Sequence, residues 1–143
     1  MKVLTVVGAR PQFIKAAMVS HEIEKRHGID EVLVHTGQHF DRNMSELFFE
    51  QMSILRPKHN LGISGGSHTS MTARMMLGLE AVMEEERPDA VLVYGDTNST
   101  LAAALTAVKM QIPIAHVEAG PRSHSLRNAE ESNRVCVDHL SSI

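Results

Sequence analysis

Residues 3–11 read VLTVVGARP, a short run of β-branched and apolar residues that ends at Gly8 and is closely followed by Pro11. The run has the length of a buried strand. Proline is tolerated in the first turn of a helix, because the N–H that it lacks would have no partner there. The stretch therefore predicts a strand, a tight turn and a helix in immediate succession, as at the start of a βαβ unit.

The same succession recurs along the chain. Further strands are predicted at Val32–Thr36, Ala90–Tyr94 and Ile114–Val117, with a short one at Leu61–Ile63. Apolar spacing and alanine content predict helices from Pro11 (with apolar Ile14, Val19 and Ile23), from Asp41 through Phe48, and over Met71–Glu86, Leu101–Met110 and Ala129–Leu140. Strands that alternate with helices are typical of the α/β class, here a doubly wound parallel sheet.

Length and composition restrict the classes of function. The 143 residues suit one domain with one hydrophobic core. The net charge of −3 includes no basic block, so the attraction that drives nucleic-acid binding has no source. No apolar run approaches the roughly 20 residues of a membrane helix. The single cysteine, Cys136, excludes an internal disulfide and favours the cytoplasm.

Four predicted turns follow the carboxyl ends of parallel strands, the edge where ligands bind in doubly wound sheets. Each contains a glycine, and they read Gly8-Ala9-Arg10-Pro11, Gly37-Gln38-His39, Gly95-Asp96-Thr97 and Glu118-Ala119-Gly120. Because all four share this edge, which we call the rim, their polar side chains are candidates for a single site.

The basic and acidic candidates each have a functional and a structural interpretation. The guanidinium of Arg10 suits a phosphate or carboxylate, and Lys15 adds charge near a helix N-terminus, yet both also suit an ordinary surface. Carboxylates such as Asp96 and Glu118 divide acid and base roles when their environments differ. Asp96 also suits a turn cap, and Glu130-Glu131 suits the first turn of a helix. Their shared position at the rim favours catalysis.

Nine histidines raise the question of a metal site. The pairs His35 with His39 and His116 with His124 lack the helix-borne His-Glu-x-x-His spacing, and a lone Cys136 does not suit structural zinc. No serine lies in a Gly-x-Ser-x-Gly elbow, and the first turn matches neither a dinucleotide fingerprint nor a Walker loop. The sequence predicts no metal, no cofactor and no covalent nucleophile.

Taken in order, the turns resemble the non-hydrolysing UDP-N-acetylglucosamine 2-epimerase family. The resemblance spans nearly the whole chain and is carried by Gly8–Lys15, Thr36–His39, Gly95–Thr100, His116–Gly120, Glu130–Arg134 and Asp138–Leu140. It implies a GT-B-type enzyme of two Rossmann-like domains, with residues 1–143 as the N-terminal domain and the C-terminal nucleotide-binding domain absent.

The resemblance also implies an activity and a set of site residues. The activity is conversion of UDP-GlcNAc to UDP-ManNAc by UDP elimination and re-addition, in a cytoplasmic homodimer that serves cell-envelope polysaccharide synthesis. The isolated chain is expected to be inactive. The expected catalytic residues are Asp96, Glu118 and Glu130, and the expected substrate-binding residues are Arg10, Lys15, Gln38, His39, Glu131 and Arg134.

Other interpretations stay open on the sequence. Pro121 and Ala129 depart from the family's usual residues in the loop between Glu118 and Glu130. The substrate is alternatively UDP-2,3-diacetamido-glucuronate. The chain is alternatively part of a GT-B glycosyltransferase, which transfers sugar without epimerisation, or a non-catalytic module that binds a nucleotide sugar.

Overall fold

The computed structural model describes residues 1–38, 55–125 and 127–143. Its elements are β1 (Lys2–Val7), α1 (Arg10–Glu24), β2 (Asp30–His35), β3 (His59–Asn60), α2 (His68–Glu86), β4 (Ala90–Tyr94), α3 (Asn98–Lys109), β5 (Ile114–Val117) and α4 (Ala129–Leu140). The helix predicted from Asp41 through Phe48 lies outside these ranges. None of the helices within them has the length and hydropathy needed to cross a bilayer.

The strands form one parallel sheet in the order β3-β2-β1-β4-β5. The chain moves outward from β1 to β3 and then returns to place β4 on the other side of β1. This reversal is the topological switch point at which doubly wound sheets bind ligands. The predicted α/β class is confirmed, and the switch point lies at the carboxyl ends of β1 and β4.

Both faces of the sheet are covered, which accounts for the continuous apolar runs of its strands. Alternate side chains point to opposite faces. Leu4 and Val93 are among those that pack beneath α2, α3 and α4, whereas Val7 and Tyr94 pack with Phe13 of α1. The alternation of the strands thus divides the core into two layers.

The buried face of α1 differs from the one that its large aliphatic residues suggest. Ile14 is 42% exposed, while Phe13 and the small Ala16 and Ala17 lie against the sheet. Alanines allow the helix backbone to approach the strands, and Phe13 fills the remaining space. The predicted helix is confirmed, and close packing against the sheet decides which of its residues are buried.

Hydroxyl caps set the starts of α2 and α3, each three residues before the predicted start. Ser67 Oγ accepts from the Ser70 amide at 3.2 Å, and Thr97 Oγ1 accepts from the Thr100 amide at 3.3 Å. Such caps satisfy amides that the first helical turn leaves unpaired. The methionine-rich stripe of α2 lies in the core as predicted, with Met75 fully buried.

The short strand predicted at Leu61–Ile63 occurs two residues earlier, as β3 at His59–Asn60. Gly62 has a φ of +61°, which turns the chain out of the extended conformation. Leu61 and Ile63 instead pack over Gly78 of α2, where an added Cβ would lie 3.1 Å from a Leu61 methyl. Their backbone amides still donate to the His35 and Thr36 carbonyls at 2.9 and 2.8 Å, while their side chains are held by this contact with α2.

Candidate active site

The turns after β1 and β4 are tied together by one buried side chain, Gln12. Its Oε1 accepts from the amides of Gly8 and Ala9 at 2.8 and 3.0 Å. Its Nε2 donates to the Tyr94 carbonyl at 2.7 Å and to the Thr97 hydroxyl at 3.0 Å. The two turns at the switch point therefore form one unit. The sequence interpretation assigned no role to Gln12, although it lies within the quoted turn segment.

The start of α3 fits closely against the first two turns. A Cβ at Gly8 would lie 2.0 Å from Ser99 Oγ and 2.5 Å from Thr36 Oγ1, so only glycine fits there. Gln38 Oε1 accepts from the Ser99 amide at 2.9 Å and from its hydroxyl at 2.7 Å. Gln38, a predicted substrate-binding residue, thus caps α3 through its carbonyl oxygen. His39, predicted beside it, lies outside the described residues.

Glu118 lies directly after β5 with its carboxylate over the turn that carries Asp96. A Cβ at Gly95 would lie 3.3 Å from Glu118 Oε2, which places the two predicted acidic turns side by side. The φ of Glu118 is +72°, a left-handed conformation that costs a residue other than glycine about 1–2 kcal/mol. Strain of this kind concentrates at functional sites. The side chain is 45% exposed and pairs with the Lys15 ammonium.

Asp96 is connected to α4 through both its side chain and its backbone. Its carboxylate forms an ion pair with Arg134. Its carbonyl oxygen accepts from Asn133 Nδ2 at 3.0 Å, and the same amide reaches Asn98 Oδ1 at 3.2 Å. Asn133 is a further residue to which the sequence interpretation gave no role. The structure therefore brings together Lys15, Glu118, Asp96 and Arg134 from four separate segments.

The adjacent glutamates at the start of α4 occupy opposite environments. Glu131 is buried and accepts from the Ser123 and His124 amides at 2.9 and 3.0 Å, and from Arg134 at 2.7 Å. The hydrogen bond from the Ser123 amide, with that from His124, holds the pKa of Glu131 below its ordinary value. Glu131 thus anchors the loop after β5, and its acceptor capacity is directed inward.

Glu130 is exposed in the first turn of α4. Among residues 1–38, 55–125 and 127–143 it makes no ion pair and no side-chain hydrogen bond. Arg10 is also exposed, at the first position of α1, and it does have an interaction partner. The catalytic and binding roles of these residues stay predictions.

The arrangement suits proton transfer next to a developing charge. Two carboxylates, those of Asp96 and Glu118, lie at the switch point, and each has one basic partner. Partly accessible carboxylates with a single basic partner accept or donate protons and stabilise positive charge. The group of three possible metal ligands found within the described ranges, His59, Glu85 and Glu86, lies elsewhere.

Comparison with known proteins assigns the chain to a family. The sequence profile of the family described as UDP-N-acetylglucosamine 2-epimerase matches residues 21–143. The chain belongs to that family. The resemblance of the sequence to this family is therefore confirmed.

Individual relatives extend this family assignment to the whole chain. The UDP-2,3-diacetamido-2,3-dideoxy-D-glucuronate 2-epimerase of Pseudomonas aeruginosa is 57% identical to this epimerase-family chain over 143 residues, which are all of the chain and 40% of that protein. The crystal structure of the Methanocaldococcus jannaschii UDP-GlcNAc 2-epimerase, in complex with UDP-GlcNAc and UDP, is 45% identical, with a TM-score of 0.94. That match covers 99% of this chain and 39% of the solved one. The chain spans about 40% of the length of the curated relatives it matches.

Proposed function

We propose that this chain is the N-terminal domain of a UDP-sugar 2-epimerase and supplies its carboxylate groups. The observation that carries the proposal is the placement of the Glu118 carboxylate over the Asp96 turn, opposite Lys15 and Arg134. Family membership supports the reaction class. A C-terminal domain, as in a GT-B enzyme, would close the crevice and exclude water from these charges.

The reaction follows from the chemistry of a sugar with no carbonyl beside C2. Its C2 hydrogen is weakly acidic until the bond from C1 to the UDP oxygen breaks and its electrons leave with UDP. Positive charge then develops at C1, where nearby carboxylates stabilise it. One carboxylate takes the C2 proton, giving a 2-acetamidoglucal. A proton is returned to the opposite face of C2 as the UDP oxygen attacks C1.

Two sugars are candidates for the substrate. UDP-GlcNAc is the one in the crystal structure of the 45% identical relative. The 57% identity to the Pseudomonas aeruginosa protein favours the diacetamido-glucuronate sugar as the second candidate. The proposed reaction is the same for both, because each is a 2-acetamido sugar linked to UDP at C1.

The wider setting forms part of the proposal. We place the enzyme in the cytoplasm, which agrees with a chain that has one cysteine and therefore no internal disulfide. A homodimer and a role in cell-envelope polysaccharide synthesis are proposed with it. Analytical ultracentrifugation of the complete enzyme measures the first, and a predominant monomer at micromolar concentration would contradict it.

A chimaera tests the proposed activity. Residues 1–143 are joined to the remainder of the Pseudomonas aeruginosa relative, and each UDP-sugar is incubated with it in heavy water. We expect deuterium at C2 and a C2 epimer for at least one sugar. The chain by itself should bind UDP weakly and show no turnover. A folded chimaera that leaves both sugars unchanged contradicts the proposal, and sugar transfer to an acceptor without epimerisation indicates a glycosyltransferase.

A further inference from the structure

The ring of His116 is buried beneath the candidate site and bonded on both sides. His116 belongs to β5, and its side chain has no exposed surface. Nε2 lies 2.7 Å from the carbonyl oxygen of Gly95, the residue that opens the turn carrying Asp96. Nδ1 lies 2.7 Å from Asp138 Oδ1. The ring therefore joins the turn after β4 to the last turns of α4.

Asp138 continues this connection to the turn after β5. Its Oδ2 accepts from the Gly120 amide at 3.0 Å and from Arg122 at 2.6 Å. Burial acts to raise the pKa of Asp138, but the hydrogen bonds from Arg122, Gly120 and His116 outweigh it and lower that pKa. One ionised carboxylate therefore holds both the histidine ring and the segment that follows Glu118.

The partners of the ring are both hydrogen-bond acceptors, a carbonyl and a carboxylate. Each ring nitrogen lies 2.7 Å from its oxygen, within hydrogen-bond distance. The side chain therefore bridges the Gly95 turn and Asp138 directly.

We propose that His116 and Asp138 are positioning residues that fix the Asp96 turn and the Glu118 turn relative to each other. This inference rests on the proposed function, since it concerns the separation of the two proposed catalytic carboxylates. Neither residue is placed at the sugar. Their effect is on geometry, and misplacement of a reacting group by about 1 Å costs roughly 10²-fold in rate.

The first test needs no enzymatic activity. Asp138 contacts the Gly120 segment directly but reaches Gly95 only through the ring. The Gly95 amide donates to the Val117 carbonyl at 3.0 Å, which makes its hydrogen exchange a probe of that turn. We expect Asp138→Asn in this chain to speed exchange at both Gly95 and Gly120 by about tenfold. Cys136→Ser, an exposed change on the same helix, is the matched control and should alter neither. Faster exchange at Gly120 with no change at Gly95 would overturn the inference.

The second test measures kinetics in the chimaera. We expect His116→Asn and Asp138→Asn to lower kcat by about 10- to 100-fold with KM within about twofold, because bound substrate meets misplaced groups. His116→Gln retains a donor near Gly95 and should recover part of the kcat. The double variant should be no slower than the slower single one.

The outcomes of the two tests separate this inference from the proposed function. An unsubstituted chimaera with no C2 exchange counts against the proposed function, and the amide-exchange experiment still decides the positioning role. An active chimaera that keeps its full kcat in both Asp138→Asn and His116→Asn overturns the positioning role alone.

Discussion

Carboxylates with basic partners occur at both ends of the sheet. They differ in solvent exposure and in the number of acceptor sites that basic side chains occupy. Glu86, at the end of α2, is 3% exposed and contacts Lys58 and His59 at 2.6 Å and Lys2 at 3.2 Å. Glu118, at the rim, is 45% exposed and pairs with Lys15. The first carboxylate has its acceptor sites filled by the fold, whereas the second keeps room for a ligand.

The environment of Glu86 also acts on the pKa of its carboxyl group. Hydrogen bonds from Lys58 above all, and from His59 and Lys2, lower the pKa of Glu86 to about 2. A carboxylate whose ionised form is stabilised in this way is a weaker proton acceptor than an ordinary one. The open carboxylate of Glu118, in contrast, is compatible with the catalytic role proposed for it.

The largest effect is expected from neutralising the open carboxylate. Glu118→Gln in the chimaera should lower kcat by about 10²- to 10⁴-fold, the usual loss of a general acid–base group, with little change in melting temperature. Glu86→Gln is the matched control, and its folded enzyme should keep kcat. Steady-state kinetics with circular dichroism decides the point. Equal losses of kcat in the two variants would show that the exposed Glu118 carboxylate is no more important for catalysis than the buried Glu86 carboxylate.

The reverse experiment measures stability. Glu86→Gln should lower the free energy of unfolding by about 1–3 kcal/mol, because it weakens hydrogen bonds from charged donors to a buried group. The solvated Lys58 places the loss below that of a fully buried pair. Urea unfolding of the chain measures it. Its exposed neighbour offers a control, since Glu85→Gln should change stability by no more than about 0.5 kcal/mol. Similar losses in both would show that the filled acceptor sites do not matter.

Low pH should remove the contribution of the Glu86 carboxylate to the free energy of unfolding. The folded pKa of Glu86, about 2, lies below its ordinary value of 4.5, so the ionised form stabilises the fold above about pH 4.5. That stability is lost as the pH falls from 4.5 towards 2. The difference in unfolding free energy between the unsubstituted chain and Glu86→Gln should therefore shrink over this window. A difference that stays constant from pH 6 to pH 2 would contradict the assignment.

The smallest effect on stability is expected from relieving backbone strain at the two ends of the sheet. Arg87, which caps α2, and Glu118 both have positive φ, at 48° and 72°. Arg87→Gly should raise stability by about 0.5 kcal/mol without affecting kcat. Glu118→Gly should have a similar or slightly smaller effect, since it also removes an exposed ion pair, and it should abolish activity. A loss of more than about 1 kcal/mol in Glu118→Gly would show that its conformation is not strained.

Strand and helix order could be predicted because the alternation of apolar runs with segments of helical period is strong, although the Ser67 and Thr97 caps start two helices earlier than the periodicity indicated. What escaped prediction depends on three-dimensional packing. The choice of Phe13 over Ile14 as the buried residue follows from how closely α1 approaches the sheet. β3 ends at the left-handed turn of Gly62. A single glycine in a loop does not by itself predict a left-handed conformation.

The candidate site was predictable to the extent that it follows from topology. Parallel strands end at one rim, so Asp96 and Glu118 were expected to be neighbours, as they are. Topology does not predict which of two adjacent glutamates is buried. Glu130 and Glu131 are successive residues of α4 and point in different directions. The loop that contains Ser123 packs against Glu131 and buries it. Likewise, Gln12 gives no local sign that its side chain reaches β4.

The central position of β1 has a consequence for biosynthesis. Val3 pairs on one side with Glu31 and on the other with Ala90. On a translating ribosome β2 emerges soon after β1, whereas β4 follows much later. Until β4 is synthesised, one edge of β1 has no strand to pair with. Unpaired edges of apolar strands are prone to aggregation. The nascent chain should depend most on chaperones between the emergence of α1 and that of β4.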